Sequence, residues 1–214
     1  MNGRDFCTEQ EDFWAGEFGT EYTERNSGTQ LVAGNRSLFA NIFARTRGVE
    51  KILELGANQG LNLVAIHDLL PKAQLSGVEI NSYAANLLRR LDFVEVHECS
   101  LFDYQPGNGY ELVFTKGVLI HLNPEMLAKA YEIIYRSSRK YICLIEYYNP
   151  VPLEINYRGH AERLYKRDFA GEMLDGFSDL RLVDYGFVYH RDNNFPADDL
   201  TWFLLEKAGG NAGD

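Results

Sequence analysis

The chain has 214 residues, 45% hydrophobic and 13% aromatic, which suits one elaborated domain with a substantial core. Its net charge of −10 repels phosphate backbones and argues against a nucleic-acid partner. Cys7, Cys99 and Cys143 are spaced too widely for a metal or redox pair, the five histidines lack ligand spacing, and neither a secretory leader nor a membrane-length apolar run is present, so we expect a metal-free cytoplasmic protein with no membrane partner, monomeric or homodimeric.

In chain order, residues 13–46 read as helical, rich in aromatic and charged groups, and have no place in the strand–helix alternation that begins at Lys51. "KILELG" (51–56) reads as a buried strand, "LNLVAIHDLL" (61–70) as a helix stopped by Pro71, "LSGVEI" (75–80) as a strand and "YAANLLRRL" (83–91) as a helix. "FVEVHEC" (93–99) and "YELVFTKG" (110–117) are further strands, and Pro124 starts a helix running to about Arg136. "KYICLIEYY" (140–148) is apolar on both faces, as a central parallel strand is. A helix is expected around 161–174, then "LRLVDYGFVYH" (180–190) and "TWFLLEK" (201–207), two strands with no helix between them and hence antiparallel. The alternation predicts an α/β protein with a mostly parallel sheet, closed by an antiparallel C-terminal hairpin. The expected organisation is a helical lid over 1–46, a ligand-binding domain over 47–207 and a disordered tail over 208–214.

The loop "ELGANQG" (54–60) lies where ligands bind in open α/β sheets, at the carboxyl end of the first strand. It is no P-loop, because Leu61-Asn62 stands where Lys-Ser/Thr is required, and it fits the dinucleotide fingerprint poorly. It fits better the acidic-x-Gly-x-Gly-x-Gly motif of S-adenosylmethionine-dependent methyltransferases, with Asn58 in the central glycine place, since Asn tolerates positive φ. Glu54 would repel a pyrophosphate but attract a sulfonium and an ammonium. Glu79, at the end of the second strand, stands where a carboxylate takes ribose hydroxyls. After the third strand, Leu101 and Phe102 suit an adenine lid, with Ser100 in the usual acidic place. The expected cofactor is therefore S-adenosyl-L-methionine, giving S-adenosyl-L-homocysteine, held by Glu54, Gly56, Ala57, Asn58, Gly60, Glu79, Ile80, Ser100, Leu101, Phe102, Lys116 and Gly117.

The phrases "FWAGEFGTEYTERN", "LVFTKGVLIHLNPE", "EYYNP", "YRGHAERLYKRDFAGEM", "LRLVDYGFVYHRD" and "DDLTWFLLEK" resemble the methylases associated with pseudaminic acid biosynthesis, from about Phe13 to Lys207. The resemblance implies a class I methyltransferase (Rossmann-like) fold, with a seven-stranded sheet, and an acidic nine-carbon sugar or derivative as acceptor. A peptide or other natural product is the same-fold alternative. A nicotinamide-dependent oxidoreductase and a non-catalytic nucleotide-binding module are the alternatives of other classes.

Methyl transfer needs orientation, exclusion of water and a proton acceptor where the nucleophile carries a proton. His121, just past the fourth strand, is the first candidate base; the alternative is packing against the cofactor loop. In "EYYNP", Glu146 and Tyr147 are further catalytic candidates, with Tyr148 and Asn149 facing the substrate; simple strand termination is the alternative. Arg158, His160 and Arg163, together at a helix start, would hold a carboxylate or phosphate, unless they form a solvated face paired to Glu154 and Glu162. Trp14, Phe18, Tyr22 and Arg25 follow helical spacing, with Tyr22 and Arg25 expected nearest the methionine end of the cofactor and plain helix packing the alternative.

Overall fold

A computed structural model describes residues 6–26, 28–107, 109–157 and 160–209, the side chains of 157 and 160–163 excepted. The N-terminal segment forms α1 (Glu9–Ala15), α2 (Glu17–Arg25) and α3 (Thr29–Phe43). Next come β1 (Lys51–Leu55), α4 (Leu61–Leu69), β2 (Gln74–Glu79), α5 (Ser82–Leu88), β3 (Val94–Glu98), β4 (Tyr110–Lys116), α6 (Leu127–Ser137) and β5 (Ser138–Glu146). A separate hairpin, β6 (Leu153–Tyr157) and β7 (His160–Lys166), precedes α7 (Phe169–Gly176), β8 (Leu180–Phe187) and β9 (Thr201–Lys207).

Seven strands form one sheet in the order β3-β2-β1-β4-β5-β9-β8. The first five are parallel, and β9 runs antiparallel between β5 and β8. Alternation along each strand sends side chains to two cores, as a sheet covered on both faces requires. Leu53, Leu55, Val113, Ile142 and Leu144 pack with Ile134 of α6 and Met173 of α7. Ile52, Leu112, Phe114, Cys143 and Ile145 pack with Phe39 and Ile42 of α3 and with Leu63 and Ile66 of α4. Thus α3 is part of the packed layer on the sheet, whereas α1 and α2 lie beyond it, over the strand ends. The start of α1 is fixed by a capping box between Thr8 and Glu11.

The structure corrects the helix expected at 161–174: residues 160–166 are strand, and α7 begins only at Phe169. The apolar positions Leu153 and Ile155 pair with Lys166 and Leu164 in a two-stranded antiparallel ribbon. Among the described residues no helix is long and apolar enough to cross a membrane.

Candidate functional site

The strand order reverses between β1 and β4, and a cavity of about 230 Å³ opens there, at the carboxyl ends of β1, β2 and β4. Its floor is the loop after β1. Gly56 and Gly60 adopt φ of 79° and 87°, and Asn58 has 49°, the left-handed turn its residue type tolerates. A Cβ at Gly56 would stand 2.5 Å from Val118 Cγ2, so both the turn and the packing require glycine. The backbone N–H groups of Gly56 and Ala57 both donate to Val78 O at 2.9 Å, binding the loop to β2.

Glu79 locks the loop from the other side. Its Oε2 accepts from Asn58 N and its Oε1 from Asn81 N, each at 2.7 Å. Burial holds its carboxyl above the ordinary range, and the backbone hydrogen bonds oppose that shift. Asn81 caps α5 and, through Nδ2, donates to the carbonyls of Trp14, Ala15 and Gly16 at 3.1–3.2 Å, capturing the α1–α2 junction. Gln59 Nε2 does the same at the end of α2, donating to Thr23 O and Asn26 O. Ser100 Oγ, after β3, donates to Glu11 Oε1 at 2.5 Å and ties down α1. Three side chains from three strand ends therefore roof the cavity with α1 and α2.

Of the residues expected to hold a cofactor, Tyr22, Gly56, Ala57, Asn58, Glu79, Ile80, Ser100, Leu101, Phe102, Lys116 and Gly117 line the cavity. Glu54, Gly60 and Arg25 do not. Glu54 points beneath the loop, wholly buried, with Oε1 accepting from Asn62 Nδ2 at 2.5 Å and Oε2 unpartnered among the described residues; burial pushes its carboxyl up to about 8. Gly60 faces Leu88 and Leu91. Arg25 pairs with Glu21 and lies over the Phe18 ring, where its guanidinium stays solvated.

His121 lines the cavity on the 3-10 turn after β4, with its ring 4.6 Å from that of Trp14. Glu146 lies behind it, outside the lining. Its Oε1 accepts from Thr115 Oγ1 at 2.8 Å and from Val118 N and Leu119 N at 3.2 Å, so it anchors the turn that carries His121. Burial raises the Glu146 carboxyl to about 7. The rest of "EYYNP" leads away from the cavity: Tyr147 lies beneath the Lys166 ammonium, Tyr148 sits near Phe203, and Asn149 donates to Val151 O. His160 and Arg163 lie on β7 rather than at a helix start, and Arg158 falls outside the described residues.

Lining residues not singled out from sequence include Gln10, Glu11, Asn35, Asn62, Asn81 and Asp198. Asn81 had a readable signal, as an Asn cap directly after the strand-end Glu79-Ile80. Asn35 and Asp198 had none, because only the tertiary fold brings α3 and the β8–β9 connection to the mouth. Among the described residues no cluster of His, Cys, Asp and Glu is arranged to hold a metal.

No family model matches the sequence, and no curated protein matches it. Solved structures do match, and they define the class of fold. The 1,6-didemethyltoxoflavin-N1-methyltransferase of Burkholderia thailandensis, solved with S-adenosylhomocysteine, superposes with a TM-score of 0.69 at 14% identity, over 92% of this chain and 86% of that one. The magnesium protoporphyrin IX methyltransferase of Synechocystis PCC 6803 gives 0.66 at 12%, over 92% and 97%. A SAM-dependent methyltransferase of Aquifex aeolicus gives 0.62 at 16%, over 88% and 97%. The chain has the class I, Rossmann-like methyltransferase fold.

Proposed function

We propose that the protein is an S-adenosylmethionine-dependent methyltransferase acting on a small acidic molecule, a pseudaminic acid-type sugar or its derivative. The observation that carries the methyltransferase reading is the donor set at the switch point. Asn58 makes the left-handed turn in place of a glycine, Glu79 fixes that turn, and among the described residues the lining holds Glu11, Glu79 and Asp198 against a single lysine. Such a lining suits a cationic ligand and disfavours a pyrophosphate. When bound, S-adenosylmethionine supplies an activated methyl group. Glu79 would take the ribose hydroxyls, Leu101 and Phe102 would flank an adenine, and the Gly56–Asn58 backbone would hold the methionine portion. The α1–α2 roof, which is the proposed lid, excludes water. His121 would take a proton from the acceptor, and Glu146 anchors the turn that carries it. The sugar acceptor rests on the sequence resemblance, while the structural neighbours bear names of chemically diverse acceptors.

Calorimetry with S-adenosylmethionine and with NAD tests the cofactor: binding of NAD alone overturns the proposal. Mass spectrometry of incubations with labelled donor and nonulosonic sugars, free and nucleotide-activated, tests the acceptor. Methyl transfer to none of them, with a peptide or another metabolite labelled instead, overturns the sugar assignment.

A further inference from the structure

Lys116 is the last residue of β4 and the only lysine or arginine among the described lining residues. It is half-buried, and among the described residues its ammonium makes no hydrogen bond or ion pair. Burial pushes its ammonium toward the neutral form, and three carboxyl groups oppose that shift from a distance: Glu54 on β1, Asp198 just before β9, and Glu146 at the end of β5. Two of the three are themselves held toward their neutral form by burial. A half-buried cation without a close partner is costly unless something completes it.

The strand order shows where that partner enters. The turn after β3, the end of β2 and the loop after β1, which would hold the adenine, ribose and methionine portions, follow consecutive strands of the sheet. A donor laid across them reaches the switch point and leaves the end of β4 to the group that receives the methyl. Asp198, whose charge acts on Lys116, shares the cavity lining with it, as do Asn35 and Leu31 of α3 and His121 on the turn after β4. The contact between α3 and the β8–β9 connection, where a Cβ on Gly34 would lie 3.5 Å from Pro196 O, makes this wall.

We propose that these residues form the acceptor subsite, in which Lys116 pairs with a carboxylate of the acceptor while Asn35 and Asp198 take its hydroxyl or amide groups. The proposal rests on the methyltransferase reading and deepens it. A carboxylate held there would be attracted by the Lys116 ammonium and by the donor's sulfonium, against the opposing charge of Asp198. This moves Lys116 from the cofactor's partners to the acceptor's. It also replaces "EYYNP" and the segment after it as the place where acceptor specificity is decided.

The test begins with calorimetry of S-adenosylhomocysteine on the intact protein. Absence of binding overturns the methyltransferase reading and the subsite with it. With binding established, reductive methylation by formaldehyde and borohydride, read by peptide mass spectrometry, reports whether Lys116 stays open in the saturated protein. Labelling that S-adenosylhomocysteine leaves unchanged is expected. Strong protection would place Lys116 on the donor's carboxylate and overturn the subsite alone. N-acetylneuraminate, benzoate and citrate, each beside its methyl ester, then serve as probes in the saturated protein. At least one carboxylate should protect Lys116 and its ester should not; equal protection, or none by any of them, overturns the carboxylate assignment. Lys116→Met should leave S-adenosylhomocysteine affinity essentially intact and weaken the protecting carboxylate about tenfold or more, as loss of a charged hydrogen bond implies.

Discussion

Glu54 is buried beneath the loop with one carboxyl oxygen on Asn62 and the other unpartnered among the described residues, and its carboxyl is pushed up to about 8. A carboxyl raised in the folded state stabilises that state fully below the unfolded value near 4.5, and the contribution is lost as pH rises toward 8. Glu146, raised to about 7, acts with the same sign over a narrower window. Thermal melts of the wild type should therefore fall by several degrees between about pH 5 and pH 9. Glu54→Gln keeps an acceptor for Asn62 Nδ2 and removes the titration, so its melting temperature should fall less over that range; an equally steep fall would show that Glu54 is not the titrating group. Glu79 differs, because both its oxygens hold backbone N–H groups of the loop and of α5. Glu79→Ala should weaken S-adenosylhomocysteine about tenfold or more, since it removes charge-assisted bonds that set the floor of the cavity; unchanged affinity in calorimetry would remove Glu79 from the site. Both acids were legible in the motif, but their depth was not. Spacing locates a strand end, while strand alternation turns Glu54 toward Asn62 of α4, beneath the floor.

The loop from Gly56 to Gly60 joins two elements whose positions it dictates, and its three positive φ angles are the condition for that geometry. Asn58→Gly should leave stability and cofactor affinity nearly unchanged. Asn58→Val, β-branched and ill-suited to φ of 49°, should cost about 1–3 kcal/mol in chemical denaturation and weaken the cofactor. Equal behaviour of the two variants would show that the backbone turn is not what the site needs. This loop and the alternating strands were legible because each obeys a local rule: buried apolar runs, a Pro first turn before α6, and an Asn that can turn. The β6–β7 hairpin was not legible in the same way. Leu153, Ile155 and Tyr157 do alternate, but the return strand carries charged residues whose spacing also fits a helix, and the pairing of Ile155 with Leu164 is set across the turn. The acceptor wall was less legible still, since Asn35, Lys116 and Asp198 are far apart in sequence and meet only after the sheet is ordered.

At the scale of the molecule, two kinds of packing hold the N-terminal helices, and they differ in strength. Helix α3 buries Val32, Leu38, Phe39 and Ile42 against the sheet's core, so its opening should require global unfolding. Helices α1 and α2 are held over the site mainly by polar side chains: Asn81 on three carbonyls, Gln59 on two, and Ser100 on Glu11. Hydrogen bonds that exchange with water contribute about 1 kcal/mol each, so this roof can open locally while the domain stays folded. A ligand that bridges floor and roof should close it. Hydrogen exchange should therefore be faster in residues 9–25 than in 32–42, and S-adenosylhomocysteine should slow the first segment while leaving the second unchanged. Asn81→Ala, which releases the α1–α2 junction, should speed exchange in 9–25 without altering 32–42. Its bound S-adenosylhomocysteine should dissociate faster, by about thirtyfold, because the two amide protons shared among the three carbonyls amount to two hydrogen bonds of about 1 kcal/mol each. Identical exchange in both segments, with or without ligand, would mean that α1 and α2 are a fixed wall, and the cavity would then need another way in.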